Sequence, residues 1–127
     1  MKKAILAGVV SVVAIGGIVT WGVSQSKIPG VYDDFAQCIT DSGTKFYGAF
    51  WCPHCADQKK MFGTSAKLLP YIECSTADGK DKLPICTDNN IESFPTWEFI
   101  DGSRLTGTIE LSELSEKTMC TLPEETK

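Results

Sequence analysis

Two cysteines, Cys52 and Cys55, are separated by two residues in the block Trp51-Cys52-Pro53-His54-Cys55. A pair at that spacing can close a small disulfide, and its chemistry is sharpest where a helix begins. Pro53 suits such a start, because its ring fixes the first-turn dihedral and removes an N–H that lacks an intrahelical partner there. A helix N-terminus presents free N–H groups and a positive dipole end to the sulfur of Cys52, which favours the thiolate. His54, between the two cysteines, can add a donor or a positive charge. Cys55, one turn further in, is the natural resolving thiol because the turn covers it. A stabilised thiolate stabilises the reduced pair and makes the disulfide a better oxidant.

Other readings of the pair are weaker. A zinc ribbon needs a second close pair, but Cys74 and Cys86 have 11 residues between them, and the chain's single histidine lies inside the motif. A c-type haem needs histidine directly after the second cysteine, where Ala56 stands. No metal and no cofactor is therefore expected. A purely structural disulfide remains the bland alternative. The other four cysteines allow three pairings once Cys52–Cys55 is fixed. Cys74–Cys86 would close the polar loop between them, and Cys38–Cys120 would tie the two ends of the domain. A buried free thiol at Cys38 or Cys120, and a second redox pair at Cys74 and Cys86, stay open as alternatives.

The elements that must position this pair can be read from pattern. Val31 to Ser42 has Phe35, Cys38 and Ile39 at helical spacing and stops at Gly43. Lys45 to Phe50 reads as a strand, and a helix is expected from Pro53 towards Leu69, with Gly63 weakening or bending it. Tyr71 to Cys74 is strand-like, Ser75 to Lys82 a polar loop, and Leu83 to Asn90 room for a short helix. Thr96 to Ile100 and Arg104 to Thr108 flank Asp101-Gly102, a hairpin signal, and Leu111 to Met119 closes as a helix. The order predicts an α/β domain over 31–120 with a crossover unit followed by a hairpin, and a polar tail over 121–127.

The first 26 residues read differently. Behind Lys2 and Lys3, an uncharged run of 20 residues from Ala4 to Val23 matches a bilayer in helical form. It is expected to be a membrane anchor over residues 4–23 or a cleaved signal; a buried core helix is the remaining alternative. The lysines keep the N-terminus cytoplasmic, so the domain is expected on the extracytoplasmic side, where disulfides persist. From Lys27 on, 10 Lys+Arg face 16 Asp+Glu. So acidic a domain lacks the broad basic face that nucleic-acid binding needs.

From Tyr32 to Cys120 the chain resembles a thioredoxin-superfamily domain, carried by the YGAFWCPHC and SFPTWEF blocks. The resemblance implies a thioredoxin fold, a central mixed sheet flanked by helices; with the apolar run read above, it would stand behind an N-terminal transmembrane helix. It is similar, within that superfamily, to the thioredoxin-like domains of bacterial vitamin K epoxide reductase homologues. These exchange electrons between secreted proteins and a quinone-reducing membrane partner. The Cys-Pro-His-Cys pattern is also that of the Dsb-type disulfide oxidases. An extracytoplasmic oxidase of cysteine-containing secreted proteins is implied; a reductase or isomerase of the same fold, or a disulfide-stapled binding module, are the alternatives. Phe94-Pro95 resembles the cis-proline loop of the superfamily, making Trp51, Phe94 and Pro95 the substrate platform, although a proline at a strand start can also be an edge boundary. One departure stands out. The buried carboxylate that many thioredoxin-fold enzymes place six residues before the first cysteine is here Phe46. Proton transfer at Cys55 then needs water or another group, with Lys45 and Glu98 as candidates.

Overall fold

The computed structural model describes residues 30–124. The expected anchor at 4–23 and the end of the tail lie outside them, and among the described residues no helix is long and apolar enough to cross a membrane. The elements run α1 (Asp33–Asp41), β1 (Lys45–Gly48), α2 (Pro53–Met61), β2 (Tyr71–Glu73), α3 (Pro84–Thr87), β3 (Thr96–Glu98), β4 (Arg104–Thr106) and α4 (Leu111–Thr118). The four strands form one mixed sheet in the order β2-β1-β3-β4. β1 pairs parallel with β2, and β3 pairs antiparallel with both β1 and β4. This is a thioredoxin-like α/β arrangement.

Several boundaries have local causes. Gly43 takes a φ of +82°, which ends α1 without strain. Gly63, at φ +54°, ends α2 at Met61, and the chain continues to Leu68 as a 3₁₀ stretch. The expected single helix to Leu69 is thus two pieces, because the residue in the left-handed region breaks the ladder of hydrogen bonds. Gly102, at φ +84°, turns the hairpin.

The core gathers around Phe46 and Trp97, whose rings stack 4.3 Å apart across β1 and β3. Phe35 and Phe62 stack at 5.8 Å and attach α1 to the end of α2. A buried amide fixes α2 to the sheet. The Gln58 carboxamide oxygen accepts from Trp97 Nε1 at 3.1 Å and Ile109 N–H at 2.8 Å, while its nitrogen donates to the Ile109 carbonyl at 3.0 Å. These bonds hold the helix that carries the cysteines to β3 and to the segment leading into α4.

Two disulfides complete the frame: Cys38–Cys120, 82 positions apart, and Cys74–Cys86, 12 apart. All four cysteines that form them lie outside the Trp51–Cys55 block. Cys74 and Cys86 are buried with Tyr47 and Ile91, beneath the loop that a Ser75↔Lys82 bridge closes.

Candidate active site

β1 ends at Gly48, and four residues later Cys52 takes the N-cap position of α2. Its extended backbone (φ −79°, ψ 119°) lets its carbonyl accept the Ala56 N–H at 3.1 Å. Its sulfur replaces the usual capping oxygen and accepts the Cys55 N–H at 3.3 Å. A helix N-terminal N–H aimed at sulfur stabilises negative charge there. Pro53 occupies the first helical position, as the sequence predicts.

Cys52 and Cys55 are unbridged, and the two differ in surroundings. Cys55 is 1% exposed and Cys52 5%. The Cys55 thiol is pushed up from its ordinary 9.0 to about 12, first by burial and then by its hydrogen bond to Cys52. A backbone hydrogen bond at Ala49 and the Lys59 charge pull the other way without winning. Cys55 is therefore held neutral.

The loop before β3 reaches the same point. The Phe94–Pro95 peptide is cis, and the Cys52 thiol lies 3.7 Å from the Phe94 carbonyl oxygen that accepts from it. Trp51 meets Phe94 edge to face at 6.0 Å and donates its Nε1–H to Ser75 Oγ at 2.9 Å. Trp51 is still 52% exposed and Phe50 58%, so two apolar side chains lie at the surface just ahead of Cys52 in the chain. A cavity of about 250 Å³ opens between Trp51, Phe94 and the 75–82 loop. Trp51, Cys52, Phe94 and Pro95 are thus brought together. His54 is exposed on the first turn of α2; only its carbonyl is engaged, accepting from Thr108 Oγ1 at 3.3 Å.

Lys45 and Glu98 belong elsewhere. They pair with each other at 3.3 Å across β1 and β3, and Arg104 completes the cluster on Glu98. Lys45 lies at the opposite end of β1 from Gly48, on the order of 10 Å away along the strand. The charges that cross-strand pairing brings together satisfy one another there, and neither reaches Cys55.

Residues not singled out from the sequence lie behind Cys55 instead. A Cβ on Gly48 would sit 3.0 Å from Cys55 Sγ, 2.7 Å from the Tyr71 ring and 3.3 Å from its hydroxyl oxygen. The Tyr71 hydroxyl donates to Glu73 Oε2 at 2.8 Å, and Glu73 Oε1 accepts from Phe50 N–H at 3.2 Å and Ser75 N–H at 2.9 Å. Two signals pointed there: a glycine within a strand marks close approach, and strand alternation puts Tyr71 and Glu73 on one face.

No protein-family model matches the chain. Over 88 residues it is 50% identical to the thiol-disulfide oxidoreductase LTO1 of Arabidopsis thaliana, an alignment covering 65% of this chain and 23% of that protein. The chain thus spans less than a quarter of the length of this relative.

Proposed function

We propose that the domain is a thiol–disulfide oxidoreductase that exchanges a Cys52–Cys55 disulfide with cysteine pairs of secreted proteins. The observation that carries this reading is the asymmetry of the pair. One sulfur caps a helix in contact with the Phe94 carbonyl, beside the exposed Trp51 in the chain; the other lies in the first turn, buried and held neutral. The activity named for the Arabidopsis relative agrees with it.

In the oxidising direction a substrate thiolate attacks Cys52 of the enzyme disulfide. A substrate–Cys52 disulfide forms, the Cys52–Cys55 bond breaks, and Cys55 leaves as a thiolate that takes up a proton. A second substrate thiolate then attacks the substrate sulfur and expels Cys52 as a thiolate. The substrate has gained a disulfide and the enzyme pair is reduced by two electrons. Phe94 and Pro95 offer main-chain groups to the substrate segment, Trp51 packs against it, Pro53 holds the turn, and His54 acts on Cys52 through space.

The finer reading follows the resemblance: oxidation rather than reduction, on the extracytoplasmic side. Electrons then pass to a quinone-reducing membrane partner of the vitamin K epoxide reductase type. What favours oxidation is the helix start under Cys52 and the apolar Phe46 in place of a buried carboxylate. The test is to mix the oxidised protein with a reduced, unfolded disulfide protein and count disulfides. One substrate disulfide per reduced Cys52–Cys55 pair is expected. No transfer, with the substrate thiols free and the Cys52–Cys55 disulfide formed, contradicts the proposal.

A further inference from the structure

The exchange cycle makes a demand that Phe46 cannot meet. Each time Cys55 attacks Cys52 it must lose a proton, and each time it is expelled it must regain one. Burial opposes its ionisation, and bulk water is a poor base. Around the Cys55 sulfur the described titratable or charged side chains are Cys52 at the N-cap, Lys59 one turn further along α2, and Tyr71 and Glu73 on β2. Lys59 is a cation stacked 3.5 Å over the Tyr71 ring and accepts nothing. Tyr71 and Glu73 remain.

We propose that Tyr71 and Glu73 form the proton relay of Cys55, with Tyr71 passing the proton and the Glu73 carboxylate holding it. The inference rests on the exchange reading given above. Three features carry it. Gly48 has no side chain, and both the Cys55 sulfur and the Tyr71 hydroxyl oxygen come within 3.3 Å of the point a Cβ would fill, so at most one water separates them. The Tyr71 hydroxyl is already committed as a donor to Glu73 Oε2 at 2.8 Å, so its oxygen is left as an acceptor for the incoming proton. Glu73 is aimed by two backbone N–H groups on its other oxygen and is half-buried, so it can return the proton to solvent.

The resolving step balances as follows. The Cys55 S–H proton moves to the Tyr71 oxygen, directly or through one water, as the Tyr71 O–H proton moves to Glu73. The Cys55 sulfur forms a bond to Cys52 Sγ, the Cys52–partner disulfide breaks, and the electron pair leaves on the partner thiolate. The reverse sequence returns the proton to Cys55 when it is the leaving group. Burial and the bond to Glu73 push the Tyr71 phenol well above its usual range, so it relays the proton rather than ionising. Once Cys52 is tied up in a mixed disulfide, its hydrogen bond no longer holds the Cys55 proton.

The test uses a chromogenic aromatic disulfide added to the reduced full-length protein, with the two phases of thiol release followed by stopped flow. The first phase is attack by Cys52, and the second is resolution by Cys55. Tyr71→Phe keeps the ring on Phe46, and Glu73→Gln keeps an oxygen for the Phe50 and Ser75 N–H groups. Both variants are expected to leave the first phase unchanged and to slow the second at least tenfold at neutral pH, a modest share of what general base catalysis supplies. Their second phase should rise with hydroxide as pH increases and approach the wild-type rate, while the wild type depends on pH less steeply. An unchanged second phase, or a slowing that is constant with pH, overturns the relay. Absence of the first phase in the wild type instead overturns the exchange reading itself.

Discussion

Cys52 and Cys55 have the same side chain, and everything that separates them comes from position. Cys52 caps α2 and receives the Cys55 N–H, while Cys55 lies within the first turn against Gly48 and Tyr71. Cys52→Ala should therefore abolish exchange, and Cys55→Ala should accumulate mixed disulfides at Cys52. Mass spectrometry of the trapped adducts checks this, and alkylation falling first on Cys55 contradicts it. The raised thiol also sets a pH dependence. The folded reduced protein keeps the Cys55 proton up to about pH 12, whereas an unfolded chain releases it near 9.0. Between those values the folded state binds more protons, so its stability falls as pH rises. Reduced wild type should lose urea stability from about pH 8 to about pH 11 more steeply than Cys55→Ala. Equal slopes contradict the burial assigned to Cys55.

At the scale of the elements, α2 decides whether the pair is presented at all. Asp57 and Lys60 face solvent, Lys59 lies over the Tyr71 ring, and only Cys55 and Gln58 are buried along it. Gln58 spends both ends of its amide on Trp97 and Ile109. Gln58→Leu leaves three buried polar groups without partners and should cost about 3 kcal/mol in urea unfolding. A loss under about 1 kcal/mol would mean that packing, not the amide, holds the helix. This contact was not legible in the sequence, because a glutamine in a run of Asp, Gln and Lys reads as solvated until the sheet beneath it is known. Periodicity and punctuation made the order of elements legible: Gly43, Pro53 and Asp101-Gly102 each mark a boundary that the structure has. The expected helix end at Leu69 was not, since the sequence shows Gly63 but not the sign of its φ. The proton route shows the same limit. Lys45 and Glu98 carry the right chemistry, yet register pairs them at the wrong end of β1, and Gly48 brings Tyr71 to Cys55 instead.

Across the whole molecule, two disulfides hold a small sheet whose strands are three or four residues long. Cys38–Cys120 joins α1 to the end of α4, and Cys74–Cys86 pins the loop beside Trp51. In the chain-entropy account the longer closure contributes about 4.5 kcal/mol and the shorter about 3. Replacing Cys38 and Cys120 by serine should lower thermal stability more than replacing Cys74 and Cys86. Calorimetry of the two double variants measures it, and the reverse order contradicts the account. The redox poise of the whole domain follows from local terms. The helix start turns the Cys55 N–H onto the Cys52 sulfur, and Phe46 adds no negative charge beneath the pair. Glu73 carries one, but it is shared among three donors, and the net acidity of the chain is screened beyond about 10 Å. The most direct measurement is a glutathione redox titration of the full chain, following Cys52–Cys55 with the other two disulfides intact. The account predicts a reversible two-electron couple nearer about −120 mV than about −270 mV, with Cys38–Cys120 and Cys74–Cys86 oxidised throughout. A Cys52–Cys55 potential below about −250 mV contradicts an oxidase, and a pair that never reduces contradicts exchange altogether.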